Sequence, residues 1–188
     1  MSLREFIAGL ADLCRFRRGP EDMPYSPPLL IALLVGCGVL QVLFNVHQGA
    51  RPGLVAAALL GGLAVIGVVF LLLRGRGKAE RFVQAATALA AVYLLFGIVT
   101  DALALLLPLK ALREQVLAHP EQPPALAGMQ IAVLLVIFAL GVWQLCVWIR
   151  ILRQSLEVPL AGAVLVFLLL LLVDWIIVRL AIAAFGVA

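Results

Sequence analysis

Five long apolar stretches constrain this chain more than any other feature of its sequence. They cover residues 29–46, 54–73, 82–107, 129–149 and 158–185. The hydrocarbon core of a bilayer is about 30 Å thick, and a helix needs about 20 residues to cross it. Because lipid offers the backbone no hydrogen-bond partners, continuous apolar runs of this length predict helices. We therefore expect an all-α integral membrane protein with five transmembrane helices.

The composition excludes the two other common classes of chain. Hydrophobic residues make up 65% of the sequence and charged residues only 13%, whereas a soluble domain has about half and about a quarter. Neither a soluble domain nor a disordered chain is compatible with so much apolar surface. The net charge of +4 lies in short loops beside the apolar stretches, so we expect the lipid bilayer as a partner and no nucleic acid.

The distribution of basic residues predicts the orientation. Ten lie before the first stretch, between the second and third, and between the fourth and fifth, whereas Arg51, Lys110 and Arg113 lie in the other connections. Basic residues concentrate in cytoplasmic loops. We therefore expect a cytoplasmic N-terminus and an outside C-terminus, most simply in a bacterial inner membrane.

The N-terminal segment divides into two parts before the transmembrane domain at 29–188. In residues 1–18, apolar side chains recur at helical spacing, with charged residues off that stripe, which predicts an amphipathic helix. Such a helix either lies in the cytoplasmic interface of the membrane or packs on the ends of the bundle. Residues 19–28 contain four prolines and form an elbow, because proline interrupts helices. In the longest connection, 108–128, residues 109–117 predict a short interfacial helix that ends at 119–124.

Polar side chains within the apolar stretches are the candidate functional residues. Asp174 is the strongest of them, because a carboxylate at that depth costs about 3 kcal/mol unless it is paired, neutralised or hydrated. We expect it to face inward with a polar partner. Together the polar residues predict a cluster that opens to the non-cytoplasmic side, the outer polar cluster: Gln41, Asn45, Asp101, Gln130, Asp174 and Arg179.

Two interpretations of the outer polar cluster remain open. It lines a small hydrophilic cavity for a lipid headgroup, a proton or a small solute, or it is a structural network that sets the register of the helices. Gln144 is expected to lie nearer the cytoplasmic end and outside the cluster. Trp175, four residues before Arg179, is placed to stack on its guanidinium group.

Small residues at fourfold spacing mark the second stretch at Gly53, Ala57 and Gly61. Small residues allow helices to approach closely in lipid. The stripe therefore predicts either packing inside the bundle or an interface with another subunit. The third stretch carries a similar face of small residues, so we expect that face, with Asp101 on it, to meet other helices.

The sequence contains little that predicts catalysis. Its three cysteines, at positions 14, 37 and 146, are far apart, and neither histidine lies within an apolar stretch. That argues against a disulfide framework, a metal site and a bundle that binds haem. No catalytic sequence motif is present. We expect no catalytic residues, no cofactor and no metal.

The hydropathy profile and one local run resemble a known family. The run at 143–153, WQLCVWIRILR, leads directly into a last stretch that contains proline. Together with a short cytoplasmic N-terminal region, five closely spaced spans and an outside C-terminus, this resembles the Yip1 family of membrane proteins and its bacterial relatives. The resemblance covers most of residues 20–185 and implies a five-span membrane protein.

These observations favour a non-enzymatic membrane scaffold or accessory subunit of Yip1-like type. Its small-residue faces and N-terminal helix would contact a second copy of the chain or other membrane subunits. The alternative is a small transporter or lipid-handling protein that uses a cavity at the outer polar cluster. A membrane enzyme is the third possibility.

Overall fold

Helices account for nearly all of the described chain. The computed structural model describes residues 3–118, 121 and 127–185, and these residues form no strand. The described residues contain seven α-helices: α1 (Leu3–Cys14), α2 (Pro27–His47), α3 (Pro52–Gly75), α4 (Phe82–Ala104), α5 (Leu109–Ala118), α6 (Gly128–Leu156) and α7 (Leu160–Ala184). Five of them, α2, α3, α4, α6 and α7, are long and apolar enough to cross a membrane. The predicted fold class is confirmed.

Helix α4 lies at the centre of the bundle. Its first half is almost wholly buried and is rich in small residues, among them Ala85, Ala86 and Ala88. The helix packs against α2 and α6. The most extensive contact between two helices joins α3 to α7. The predicted small face of α4 thus meets other helices, as at Gly97, where an added Cβ would lie 2.7 Å from Leu40 Cδ2.

The small-residue stripe of α3 is used within the bundle. Ala57 and Gly61 are buried, and a Cβ added to Gly61 would lie 2.8 Å from Val178 Cγ2 of α7. Of the two explanations for the stripe, the structure therefore supports internal packing.

Local sequence signals explain where the helices begin and end. Ser26 Oγ accepts a hydrogen bond from Leu29 N at 3.4 Å, and proline occupies the first turn of α2, where its missing N–H costs nothing. Helix α6 ends at Leu156, and the residue that follows it, Glu157, is in the left-handed conformation with φ of 51°. Pro159 then precedes α7.

Helix α6 is longer than the sequence predicts. We expected the fourth span to end at residue 149 and the charged segment after it to be a loop, but α6 continues to Leu156. That expectation is wrong because Ile151, Leu152 and Leu156 are buried in the core, while Arg150 and Arg153 lie on the other face. The continuation is amphipathic and leaves the apolar layer while remaining helical.

Helix α1 packs on the bundle. Leu10, Leu13 and Cys14 join the buried core, and Trp143 Nε1 of α6 donates a hydrogen bond to Cys14 O at 2.9 Å. Ile7 remains 56% exposed. Bundle packing is therefore found, and adsorption of α1 to a bilayer surface stays a prediction.

The elbow at 19–28 is fixed to α4 by one side chain. It contains a 3-10 turn at Pro20–Asp22, and Gln84 Nε2 donates to the carbonyl oxygens of Glu21 and Met23, each at 3.0 Å. The predicted helix after residue 108 is present as α5, although its predicted end at 119–124 lies, apart from residue 121, outside the described residues.

Ion pairs join two connections at one end of the bundle. Glu157, after α6, pairs with Lys78 and, at 2.6 Å, with Arg81, both between α3 and α4. We call this the basic end. The hydrogen bonds from Lys78 and Arg81, with their positive charges, hold the pKa of Glu157 below its ordinary value of 4.5.

The lowered pKa of Glu157 predicts a pH dependence of stability. The ion pairs stabilise the fold above the ordinary pKa of a glutamate, and that stabilisation is lost as the pH falls through the lower pKa of the folded state. We expect Glu157→Gln to weaken the fall in Tm between about pH 6 and about pH 3 in detergent. The matched control is Glu80→Gln, an exposed carboxylate in the connection that carries Lys78 and Arg81, which should keep the parent profile. If both variants give that profile, the ion pairs do not stabilise the basic end.

Candidate functional site

A cavity of about 650 Å³ lies at mid-height between α2, α3, α4, α6 and α7. Most of its wall is apolar, and leucine is the commonest residue. Three wall residues, Leu63, Leu145 and Leu171, are also exposed on the outside of the bundle, so the cavity borders the lipid-facing surface. Six lining residues carry a polar atom: Cys37, Gln41, Tyr93, Gln144, Trp148 and Asp174.

Asp174 faces inward, as its cost in lipid requires. It lies about 21 Å along α7 from Leu160, lines the cavity and is partly buried. Its Oδ1 occupies the space that a Cβ at Gly61 would need. The absence of a side chain at Gly61 thus makes room for the carboxylate. We expected a polar partner from another helix or an ordered water, and no hydrogen bond or ion pair from another side chain to Asp174 is found among the described residues.

Aromatic rings form one wall of the cavity. Trp148 packs against Tyr93 with ring centroids 6.5 Å apart and edge-on against Phe167 at 6.3 Å. Trp148 Nε1 is buried and has no hydrogen-bond partner in the described part of the chain. A buried N–H without a partner is rare, so this wall carries a donor that the protein itself does not satisfy. The Cys37 thiol, by contrast, donates to Ala90 O at 3.4 Å.

The structure brings two members of the outer polar cluster, Gln41 and Asp174, to this cavity. Asn45 lies one turn beyond Gln41 and donates to the Gln41 backbone oxygen at 2.8 Å. Asp101 is half-buried near the end of α4. Neither lines the cavity.

The other two members of the cluster have local roles. Gln130 Oε1 accepts a hydrogen bond from Ala127 N at 3.0 Å and so caps the start of α6. The Arg179 guanidinium lies 5.6 Å from the centroid of the Trp175 ring, as expected from their spacing. Both groups lie away from the cavity, and the cluster does not form one continuous network in the described residues.

Four polar members of the wall were not predicted: Cys37, Tyr93, Gln144 and Trp148. Gln144 was placed near the cytoplasmic end because the fourth span was expected to stop at residue 149. In the observed helix it lies about 24 Å from Gly128, close to the middle. The position of Tyr93 on the small-residue face of α4 could have indicated that its side chain points into the bundle, because that face meets other helices.

The lining chemistry suits a ligand with one long apolar part. Among the described residues of the wall, Asp174 is the one carboxylate, and no lysine, arginine or histidine is present. No group of three metal-ligating side chains is found in the described ranges. Such a wall can hold an apolar chain and orient one polar group through Asp174, Gln41 and Gln144.

The chain matches no known family model and no curated protein, and its fold matches no solved structure. Its resemblance to the Yip1 family therefore stays a prediction.

Proposed function

We propose that this chain is a non-enzymatic membrane protein that binds an amphiphile in the cavity at mid-height and handles lipids or similar molecules. The observation that carries the proposal is the inward position of Asp174, without a protein partner among the described residues, in a wall that is otherwise almost entirely apolar. A volume of about 650 Å³ falls within the range of small-molecule sites, about 300–1,000 Å³.

The charge of the wall supports a choice between ligand classes. A single carboxylate without a neighbouring cation repels a phosphate and attracts a hydroxyl, amide or ammonium group. The favoured ligand is an amphiphile with a neutral or cationic polar group, such as a monoacylglycerol or a long-chain amine. It would enter from the bilayer, since the cavity borders the lipid-facing surface at Leu63, Leu145 and Leu171.

A quenching experiment tests the proposal. Trp148 lines the cavity, whereas Trp143 and Trp175 are exposed on the outside of the bundle. In a Trp143→Phe/Trp175→Phe background, we expect a monoacylglycerol brominated on its acyl chain to quench the fluorescence of Trp148 saturably. Bromine quenches an indole only at short range, so saturation would report occupation of the cavity.

The matched variants are Gly141→Leu and Gly67→Leu. Neither glycine has an atom within 4 Å of an added Cβ, but Gly141 lines the cavity and Gly67 does not. Leucine at position 141 should fill the cavity and remove most of the saturable quenching, whereas leucine at position 67 should leave it. Quenching that rises without saturation, to the same extent in both variants, would contradict binding in the cavity.

The scaffold or accessory-subunit function, of Yip1-like type, is the second candidate. One feature favours it, an unbroken apolar face of α2 that includes Ile31, Val35 and Leu43 and is exposed along its whole length. Lipid alone can cover such a face. The small-residue stripe of α3 supports it less, because that stripe contacts α7 of the same chain.

We also infer that the bundle lies in a bacterial inner membrane with its N-terminus in the cytoplasm. The support is the bias of basic residues, ten on the side of the N-terminus against three on the other. In that orientation the basic end faces the cytoplasm.

A further inference from the structure

A second cavity, of about 750 Å³, lies at the basic end of the bundle. Its walls are the 3-10 turn at Pro20–Asp22, the start of α4 and the last two turns of α6. Unlike the cavity at mid-height, it is lined by several charged side chains. We call it the basic pocket.

Positive charge exceeds negative charge in the basic pocket. Its lining includes Arg81, Arg150 and Arg153 against Glu21 and Glu157. Glu157 is already paired with both Lys78 and Arg81, so one carboxylate is shared by two cations. Arg150 and Arg153 have no ion pair among the described residues and are free to bind an anion.

The guanidinium group of Arg150 is held in place by an aromatic ring. It lies 5.4 Å from the centroid of the Phe16 ring. Stacking uses the face of a guanidinium and leaves its in-plane N–H donors available. Arg150, which lines the pocket, therefore keeps N–H donors available for a ligand.

Phe16 reaches this position at the expense of backbone strain. Its φ of 62° is an outlier for a bulky residue. The bonds from Phe16 N to Leu13 O and from Arg17 N to Asp12 O form a helix-ending motif in which this position is usually glycine. A strained residue that supports an arginine is the kind of feature that marks functional sites.

A buried hydroxyl without a partner is a second indication that the pocket binds a ligand, and it is independent of the charges. Ser155 lines the basic pocket and is only 4% exposed, and its Oγ has no hydrogen-bond partner among the described residues. Gln154 Oε1, also buried, lacks a donor there as well. Buried polar atoms are nearly always satisfied, so the wall of the pocket holds an unused O–H donor and an unused acceptor, which a rotation of each side chain would bring to a ligand.

We propose that the basic pocket binds a phosphate ester that also carries a hydroxyl group. Arg150 and Arg153 pair with the phosphate oxygens, which match the fork of a guanidinium, and Ser155 Oγ donates to one of them. Gln154 Oε1 accepts from the ligand hydroxyl. This site is separate from the cavity at mid-height, whose lone carboxylate favours the opposite ligand charge.

The same chemistry occurs in a soluble phosphate ester and in the headgroup of an anionic lipid. The full chain in phosphatidylcholine nanodiscs is given either glycerol 3-phosphate, at constant ionic strength, or phosphatidylglycerol within the bilayer. Binding to the folded state raises Tm by an amount set by the ratio of probe concentration to Kd, so titration of each probe yields an apparent affinity. A response to the soluble probe identifies a free ester, and a response to the lipid alone identifies a headgroup.

Two variants and one control separate the pocket from general charge effects. We expect Arg153→Gln to weaken apparent affinity about tenfold, as for the loss of one charge-assisted hydrogen bond, and Ser155→Ala to weaken it about threefold or more. Arg74→Gln removes an exposed charge at the same end of the bundle but outside the pocket, and should leave affinity unchanged.

The proposal is overturned if neither probe raises Tm, or if Arg74→Gln weakens binding as much as Arg153→Gln. In the second case the probes respond to net charge rather than to the pocket. Each variant is first melted without a probe, and Arg153→Lys, which keeps the charge, replaces Arg153→Gln if that variant does not fold. Failure here leaves the proposed function intact, because quenching of Trp148 reports only the cavity at mid-height.

Discussion

Asp174→Ala is expected to raise thermal stability while it abolishes selective binding in the cavity. The carboxylate has no hydrogen-bond partner among the described residues, so its removal breaks no polar contact within that part of the chain. A carboxylic acid near the centre of a membrane helix costs about 2.5–3.5 kcal/mol. Relief of part of that cost should stabilise the folded chain by about 1–2 kcal/mol, measured as an increase in Tm in detergent.

Asp174→Asn separates charge from shape at the same position. Asparagine fits beside Gly61 as aspartate does, but it cannot pair with an ammonium group. We expect affinity for a brominated long-chain amine to fall about tenfold, because a hydrogen bond to a charged group contributes about 1.5–3 kcal/mol. Affinity for the brominated monoacylglycerol should change less, since an amide still accepts a hydrogen bond from a hydroxyl.

Asp101→Asn is the control for both measurements. Asp101 is a partly buried carboxylate in a membrane-spanning helix, as Asp174 is, but it does not line the cavity. Its replacement should leave the affinity for either probe unchanged. A lower Tm for Asp174→Ala would show instead that the carboxylate holds the helices together, and would support the structural interpretation of the polar residues.

The sequence predicted the five spans because hydropathy alone determines which segments enter lipid. It failed at the end of α6, where Arg150 and Arg153 were taken as the start of a loop. Charged residues end an apolar run but not a helix, and the buried face formed by Ile151 and Leu156 extends the helix beyond the apolar layer. The same error displaced Gln144 from the middle of its helix towards one end.

Helix pairing was beyond what the sequence could predict. In lipid, the apolar faces that contact other helices are as apolar as those that contact acyl chains. Hydropathy therefore does not show which helices pack against each other. Gly61 indicated a close approach without identifying α7. The inward direction of Asp174 was predictable, because its cost in lipid is high, but its juxtaposition with Tyr93 and Trp148 depends on that unpredicted pairing.

Gly61→Val is expected to destabilise the fold strongly. An added Cβ would overlap Asp174 Oδ1 and lie 2.8 Å from Val178 Cγ2, and valine adds two further methyl groups. Overpacking of this kind costs about 1–3 kcal/mol or more, and α3 and α7 form the most extensive helix pair. We expect a marked fall in Tm in detergent.

The matched substitution is Gly67→Val on the same helix, where an added Cβ meets no atom within 4 Å. It places the same β-branched residue in a helix interior and should leave Tm nearly unchanged. Part of the cost at Gly61 comes from Asp174, so Gly61→Ala in an Asp174→Ala background should destabilise less than Gly61→Ala alone. If the two effects are instead additive, Asp174 does not contribute to the cost of a side chain at Gly61.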